Sequence, residues 1–588
     1  MQSRNQSHPA IMQLKKKGPV DADQQGAWFV RVSAPTLSRR EWGAAAGVAV
    51  GGAALLLLPY LLGHWLAPAG SVYTGLLQNV EDGTYLSAIA QGRAGAWVYR
   101  DLFTLQPHTP AFIEGFYLFL GHLGRWLGLS VVEAWHLGRF LSNIAAFLAT
   151  FLFVATFLPQ RGARWTAYLL ALSGSGWDVV RLPQAWEWAR AAEAVPLDLK
   201  MPEAHLFFSG LMYPHFTAGI AFILLFFLLL LYAYNAPPGR HRWLLLLGAG
   251  ASNLALAVIY PFLILLLAAV MGGYLLLLMA QTRRVLWREG LELAGTLLLA
   301  APLYLYYFRV IQTSDVYRAW NAQAVTLSPH PLHYLLTYAP LLLPALAGWR
   351  TQRSLEAKER RKFTSLWVWL GAAVLLLYLP VPPQRRFVEG LHVPLAALAA
   401  YGLTTAVLPW LLQTRPLQAL LRRPRYQRSG VRRLLLLLAL CLNGTVSVYL
   451  YLGALATLTL IQPYPLFRPQ EEIAAMTWLR DASGPGDRIL SSYWTGSYLP
   501  VITGDAVFVG HLYETVDFAT RKAEAEQFFA APNSEAWRQQ LLAEHEIDYV
   551  FYGPAERALG DFDPTSAAYL RPVWQNKTTA IYAPVGQR

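Results

Sequence analysis

Two adjacent carboxylates, Glu81 and Asp82, stand in the polar run Asn79-Val80-Glu81-Asp82-Gly83-Thr84-Tyr85-Leu86, directly after the first long apolar stretch. Such a pair can divide the work of general-base catalysis, one group taking a proton and the other orienting it. The same position also suits two solvated loop acids, or Asp82 as the N-cap of a helix starting near Thr84. Further along lie Trp97, Tyr99, Arg100, Asp101, Gln106 and His108. Aromatic rings beside acids and amides fit a sugar, whose faces are apolar and whose rim is hydroxyls. An interfacial aromatic belt has the same composition and needs no ligand.

A second patch reads Val381-Pro382-Pro383-Gln384-Arg385-Arg386-Phe387-Val388-Glu389-Gly390. Arg385 and Arg386 can hold a phosphate through paired, charge-assisted hydrogen bonds. Contact with lipid headgroups, or an ion pair with Glu389, are the competing uses. His215, in Tyr213-Pro214-His215, is either a substrate contact or a structural histidine at a helix start. His511 and Glu514 are candidates to face a cleft, with a histidine-stabilised turn as the alternative. His330 and His333 flank Pro331 and would need a carboxylate partner to bind a metal. The sequence has no zinc spacing, no P-loop and no Gly-x-Ser-x-Gly. No metal ligand set is assigned, and a divalent cation is only a candidate cofactor.

The elements that must position these residues follow from composition. The chain has 588 residues, 55% hydrophobic and 14% charged, where a soluble protein carries about a quarter charged residues. Leu-rich runs of about 20 residues recur, each long enough to cross a bilayer. The net charge of +13 reads as membrane orientation rather than nucleic-acid binding, because the basic clusters sit in short loops between apolar runs. They are Lys15–Lys17 with Arg39-Arg40, Arg161 with Arg164, Arg240 with Arg242, Arg283-Arg284 with Arg288, Arg350–Lys362 and Arg422–Arg433. Placing all of them in the cytoplasm gives about 11 spans, near 43–65, 131–158, 165–177, 214–234, 243–259, 261–280, 291–311, 332–349, 364–380, 390–413 and 434–461. The topology closes if 112–129, which holds Glu114, His122 and Arg125, lies along the outer surface or dips in; alternatively it spans and 165–177 does not. The first run starts too late and runs too long for a cleaved signal peptide and reads as a retained helix. The single cysteine, Cys441, excludes a disulfide within the chain.

Three regions result: a basic cytoplasmic segment 1–42, a membrane region 43–461 with a large first outer loop 66–130, and an extracytoplasmic tail 462–588. In the tail, 470–483, 516–529 and 535–545 read as helices, and 488–493, 506–510, 549–552 and 579–583 as strands, a small α/β layer of about 125 residues. It lacks a Gly-x-Gly-x-x-Gly after a strand.

The acidic pair in a long first outer loop, followed by Tyr85-Leu86 and Gly95-Ala96-Trp97, resembles the GT-C superfamily of membrane glycosyltransferases, which includes protein mannosyltransferases and aminoarabinose transferases. Pro214-His215-Phe216 and Gln384-Arg385-Arg386-Phe387 with Glu389-Gly390-Leu391 resemble bacterial members that carry a small extracytoplasmic α/β tail. The resemblance implies a mainly α polytopic helical bundle in the cell (inner) membrane, with its lipids as surroundings. The donor would be a polyprenyl-phosphate-linked sugar, and transfer would usually proceed with inversion. The acceptor, whether glycan, lipid or protein, is left open. Asp82 is implied as the base, with Glu81 as second choice or helper. The residues themselves supply the other candidates: Arg385 or Arg386 on the departing phosphate, and Glu389, His108, Tyr85, Trp97, His215, His511 and Glu514 as substrate contacts. A lipid or glycolipid transporter or flippase is the competing class. Against it, the apolar runs are largely uncharged at their centres, where transporters place ionisable groups. A GT-C-like scaffold without activity is the third reading.

Overall fold

Long apolar runs become the helices of a bundle in a computed structural model that describes residues 32, 34–77, 82–181, 195–530 and 534–586. The elements are α1 (Arg39–Trp65), β1 (Ser71–Tyr73), α2 (Gly83–Ala94), α3 (Gly115–Leu127), α4 (Val131–Phe157), α5 (Arg161–Ser173), α6 (Pro214–Asn235), α7 (Arg240–Ile259), α8 (Ile264–Thr282), α9 (Trp287–Leu298), α10 (Ala301–Thr313), α11 (Asp315–Gln323), α12 (Pro331–Arg353), α13 (Ala357–Leu376), α14 (His392–Gly402) and α15 (Arg428–Ala456). Ser38 caps α1 by accepting from Glu41 N, and Ser130 and Glu133 form a reciprocal capping box on α4. Both caps satisfy donors that a helix start leaves open.

Among the described residues, seven helices are long and apolar enough to cross a membrane, and α9 with α10, bent by 48°, makes up to eight. The other three expected spans are present as α5, α12 and α13, but length and composition alone do not carry them across. α5 has 13 residues, about 20 Å of helix against a hydrocarbon core of about 30 Å. It continues into extended backbone held by α15: Ser175 N and Oγ donate to Asn443 O at 2.9 and 2.7 Å, and Ser447 Oγ donates to Gly174 O at 3.1 Å. Non-helical backbone is tolerated at membrane depth where protein satisfies it in this way. The apolar stretch 112–129 also yields a 13-residue helix, α3. It packs flat on α2, where a Cβ on Gly92 would lie 2.2 Å from Leu118 O and one on Gly121 2.2 Å from Ile89 O. Glycines let the two helix backbones approach as larger residues cannot.

The tail opens with β2 (Phe467–Pro469) and α16 (Gln470–Ala482), followed by β3 (Arg488–Leu490), β4 (Ala506–Val507), α17 (Phe518–Phe529), α18 (Glu535–Glu544), β5 (Tyr549–Tyr552), β6 (Leu570–Gln575) and β7 (Ala580–Pro584). The last five strands form one mixed sheet in the order β4-β3-β5-β7-β6. Two expected strands, 488–493 and 506–510, are shorter than read from sequence. One strand, β6, was not expected. It contains Pro572, lies at the sheet edge and shifts register between Pro572 and Trp574, the placement in which proline is tolerated in a sheet. The strand pair β1–β2, with Val72 opposite Arg468, ties the first long loop to the start of the tail. Neither segment carries enough alternation to read as a strand alone.

The segments that the charge pattern assigns to one side of the membrane gather at one end of the bundle. Val507 N donates to Leu102 O at 2.9 Å and Thr515 Oγ1 to Phe103 O at 2.7 Å, joining tail and first loop. Gln323 of α11 donates to Tyr513 O and Thr515 O at 2.9 and 3.1 Å, and Tyr317 to Tyr99 O at 3.1 Å.

Candidate active site

Asp82 is buried at the N-cap of α2, yet its side chain does not cap the helix. Instead Asp82 Oδ1 accepts from the Tyr213 hydroxyl at 3.0 Å. Tyr213 is itself positioned from behind. The Tyr60 hydroxyl donates to Leu211 O at 2.5 Å, and Arg139, stacked 3.7 Å over the Tyr60 ring, donates to Met212 O at 2.9 Å. Burial, then the charge of Asp82, holds the Tyr213 phenol well above its ordinary value, so it stays protonated and donates. Glu81 lies outside the described residues.

Gly83 explains how the tail reaches this point. A Cβ there would lie 1.9 Å from Ser497 O, so only glycine lets the tail backbone press on the first turn of α2. One turn on, Thr84 Oγ1 donates to Glu514 Oε1 at 2.6 Å and Tyr99 to Glu514 Oε2 at 2.9 Å. Glu514 is therefore a clasp between tail and first loop. His511, beside it, is turned inward: its Nδ1 accepts from the backbone N–H of Tyr513 and of Glu514 at 3.1 and 3.0 Å. Burial pushes its imidazole down to about 3, so it is neutral. The structure thus gives both residues the turn-stabilising and docking roles, away from the cavity described next.

A cavity of about 270 Å³ opens between α2, α3, the end of α7, α10 and α11. Tyr85, Tyr117, Tyr260, Tyr307, Tyr317 and Trp320 line it with rings; Glu114, His215, Asn321 and Arg386 supply the polar groups. Its size is near the lower end of small-molecule sites, roughly 300 Å³. Tyr85 is the hub, with ring centroids 4.6 Å from Tyr117, 5.1 Å from His215 and 6.0 Å from Tyr213. Asp82 is not among the lining residues; it sits behind this hub through Tyr213. Burial, then the charges of Glu114 and Asp82, hold the Tyr85 phenol well up, so it too remains a neutral donor.

Of the sequence-derived candidates, the cavity collects Tyr85, His215 and Arg386. Arg385 faces away, into a separate cavity of about 300 Å³ that also borders Lys200, His330 and His333. The competing ion pair with Glu389 is not formed; both arginines pair with Glu203, whose Oε1 lies 3.2 Å from Arg385 Nε and 3.8 Å from Arg386 Nε. Glu389 is fully buried, with a Gly219 Cβ position 2.6 Å from its Oε1, a place in the helix core rather than on the cavity wall. His108 accepts from Asp101 N at 3.1 Å and lines a neighbouring cavity of about 720 Å³ with Arg309 and Tyr317. Trp97 is 55% exposed and stacks on His122 with centroids 3.8 Å apart, outside all of these. His333 does have a carboxylate partner, Asp178 at 2.6 Å. Among the described residues, no group of three or more His, Cys, Asp or Glu could hold a metal ion.

Tyr213, Arg139, Glu203 and Glu114 are at or near the site without being among the residues the sequence singles out. Two carried a signal: Arg139 is a charge inside an apolar span, and Glu114 an acid in an otherwise apolar stretch. Tyr213 and Glu203 carried none, because their roles exist only through partners 131 or more residues away.

No protein-family model and no curated protein matches the chain. Solved structures do. ArnT from Cupriavidus metallidurans in the apo state is 14% identical over 92% of this chain and 98% of its own, with a TM-score of 0.52. The same protein bound to undecaprenyl phosphate gives 13% and 0.51. The mycobacterial arabinofuranosyltransferase AftD is 15% identical over 94% of this chain and 40% of its own, TM-score 0.54, so this chain spans well under half of that one. At such identities the likeness concerns the fold alone: a polytopic helical bundle continued by a smaller α/β tail, whose overall course resembles those of ArnT and AftD.

Proposed function

We propose that the protein transfers a sugar from a polyprenyl-phosphate donor to an acceptor at the extracytoplasmic face of the cell membrane, with inversion, and that Asp82 is the general base. The observation that carries this reading is the buried Asp82–Tyr213 pair set behind an aromatic cavity that also holds Arg386, within a GT-C fold. Aromatic faces suit a sugar ring, and a guanidinium suits a phosphate. Phosphate is a good leaving group, so one base suffices where a glycosidase also needs an acid. Arg386, with its ring contact to Phe216 at 5.2 Å, would stabilise charge developing on the departing phosphate, a term worth several kcal/mol at preorganised sites.

A groove of about 720 Å³ between α7 and α9, lined by Trp243, Leu246, Leu247, Leu291 and Leu299 together with Arg242, Arg288 and Glu292, is the surface offered to the donor's lipid tail. The end of α7 and the α10 half of the bent pair border the cavity itself. ArnT, whose fold is shared, has been captured with undecaprenyl phosphate, which supports a lipid-linked donor here.

The test is the purified full chain in liposomes, offered undecaprenyl-phosphate-linked sugars and membrane acceptors. Asp82→Asn is expected to lower transfer by about 100-fold or more while thermal unfolding stays close to wild type. Full transfer by that variant would end the assignment of Asp82.

A further inference from the structure

The carboxyl that lines the cavity is Glu114, not Asp82. Its backbone is in the left-handed region, φ 54° and ψ 29°, which residues with a Cβ seldom adopt. It stands at the N-cap of α3, where a glutamate side chain could turn back to the helix, yet it makes no capping hydrogen bond. Next to it, Gly115 is wedged: a Cβ there would lie 2.8 Å from the Phe112 ring and 2.9 Å from Val258. The tight turn at 114 therefore seats α3 against α7, and the cost of a non-glycine residue at the turn is borne at a cavity wall. Backbone strain retained at such a place points to use.

Building on the sugar-transfer reading, we infer that Glu114 is a substrate-contacting residue, which as a neutral carboxylic acid donates a hydrogen bond to an oxygen of the bound sugar. Seven titratable side chains share the cavity wall with it. Tyr85 faces it from α2, Tyr117 from its own helix, His215 from α6, and Tyr260 from the end of α7. Tyr307, Tyr317 and Arg386 complete the wall from α10, α11 and the 384–388 turn. Burial, then the charge of Glu514 in the tail, pushes the Glu114 carboxyl up to about 8. At neutral pH it thus carries its proton, and a tyrosine-rich wall offers a sugar both donors and ring faces.

The experiment uses the full chain in liposomes and a panel of undecaprenyl-phosphate-linked pentoses and hexoses, with Glu114→Gly, Glu114→Ala and Glu114→Gln. Glycine fits the left-handed turn, so Glu114→Gly is expected to unfold at the same or a higher temperature than wild type while its KM for the donor rises about tenfold or more. Wild type is expected to show a rise in KM as pH passes about 8; Glu114→Gln, whose amide still donates, is expected to keep the wild-type KM at pH 7 and to lack that rise. Wild-type KM in both Glu114→Gly and Glu114→Ala, or an unchanged alkaline rise in Glu114→Gln, overturns the role of Glu114 alone, provided Asp82→Asn is inactive beside them. Failure of wild type to bind or transfer any member of the panel overturns the transfer reading and this assignment together.

Discussion

The Tyr213 hydroxyl donates to Asp82 Oδ1 at 3.0 Å across 131 residues of sequence, and Tyr213 is in turn fixed through carbonyls held by Tyr60 and Arg139. A buried carboxylate is thereby given a fixed direction. Tyr213→Phe keeps the ring and removes the donor. It is expected to lower kcat for sugar transfer about tenfold with little change in donor KM, and to cost about 1 kcal/mol of stability. Initial rates over a range of donor concentrations, beside denaturant unfolding in detergent, separate the two effects.

Gly83→Ala tests whether the tail shapes the site. The added methyl would sit 1.9 Å from Ser497 O, against backbone that cannot swing aside as a side chain does. A loss of about 1–3 kcal/mol is expected, with faster proteolysis of the tail and reduced transfer. Unchanged proteolysis would mean that α2 and the tail do not bear on each other in solution.

The clasp between tail and first loop is expected to respond to pH. Asp101 is buried beside Glu514; burial, then the charge of Glu514, holds its carboxyl well above the ordinary 3.8. An acid raised in the folded state gives stability that is complete below its ordinary value and is lost as pH rises through the raised one. The tail's thermal stability is therefore expected to fall as pH rises above the ordinary carboxyl value of 3.8. Asp101→Asn keeps the acceptor that receives Phe103 N at 2.8 Å and is expected to flatten that slope. A slope identical to wild type would assign the pH response to other groups.

Glu203 is the shared counter-charge of Arg385 and Arg386. Both arginines are partly open, with 22% and 23% of their side chains exposed, so Glu203→Gln is expected to cost about 1–3 kcal/mol rather than the full price of a buried pair. Undecaprenyl phosphate should then raise the melting temperature of Glu203→Gln by more than that of wild type, because the ligand supplies the missing negative charge. Equal shifts would put the phosphate away from these arginines.

What the sequence determined by itself is the membrane bundle, the helix–strand alternation of the tail, and the grouping of the loops. Each rests on short-range physics. Leu-rich runs of bilayer length must be helices in lipid, and arginine-rich loops sort the ends of those helices. The loops grouped in that way do meet, as the Leu102–Val507 and Gln323–Tyr513 contacts show. The candidate list was legible in kind, since Asp82, Tyr85, His215 and Arg386 fall at or behind one cavity. Its members were not separable, because Glu514 and His511 look the same on paper as residues that line a pocket. Tertiary structure alone turned His511 onto its own backbone, paired the arginines with Glu203 rather than Glu389, and brought Glu114 to the cavity wall. Those outcomes depend on which distant backbone or charge arrives within about 3 Å, and local pattern carries no record of that distance.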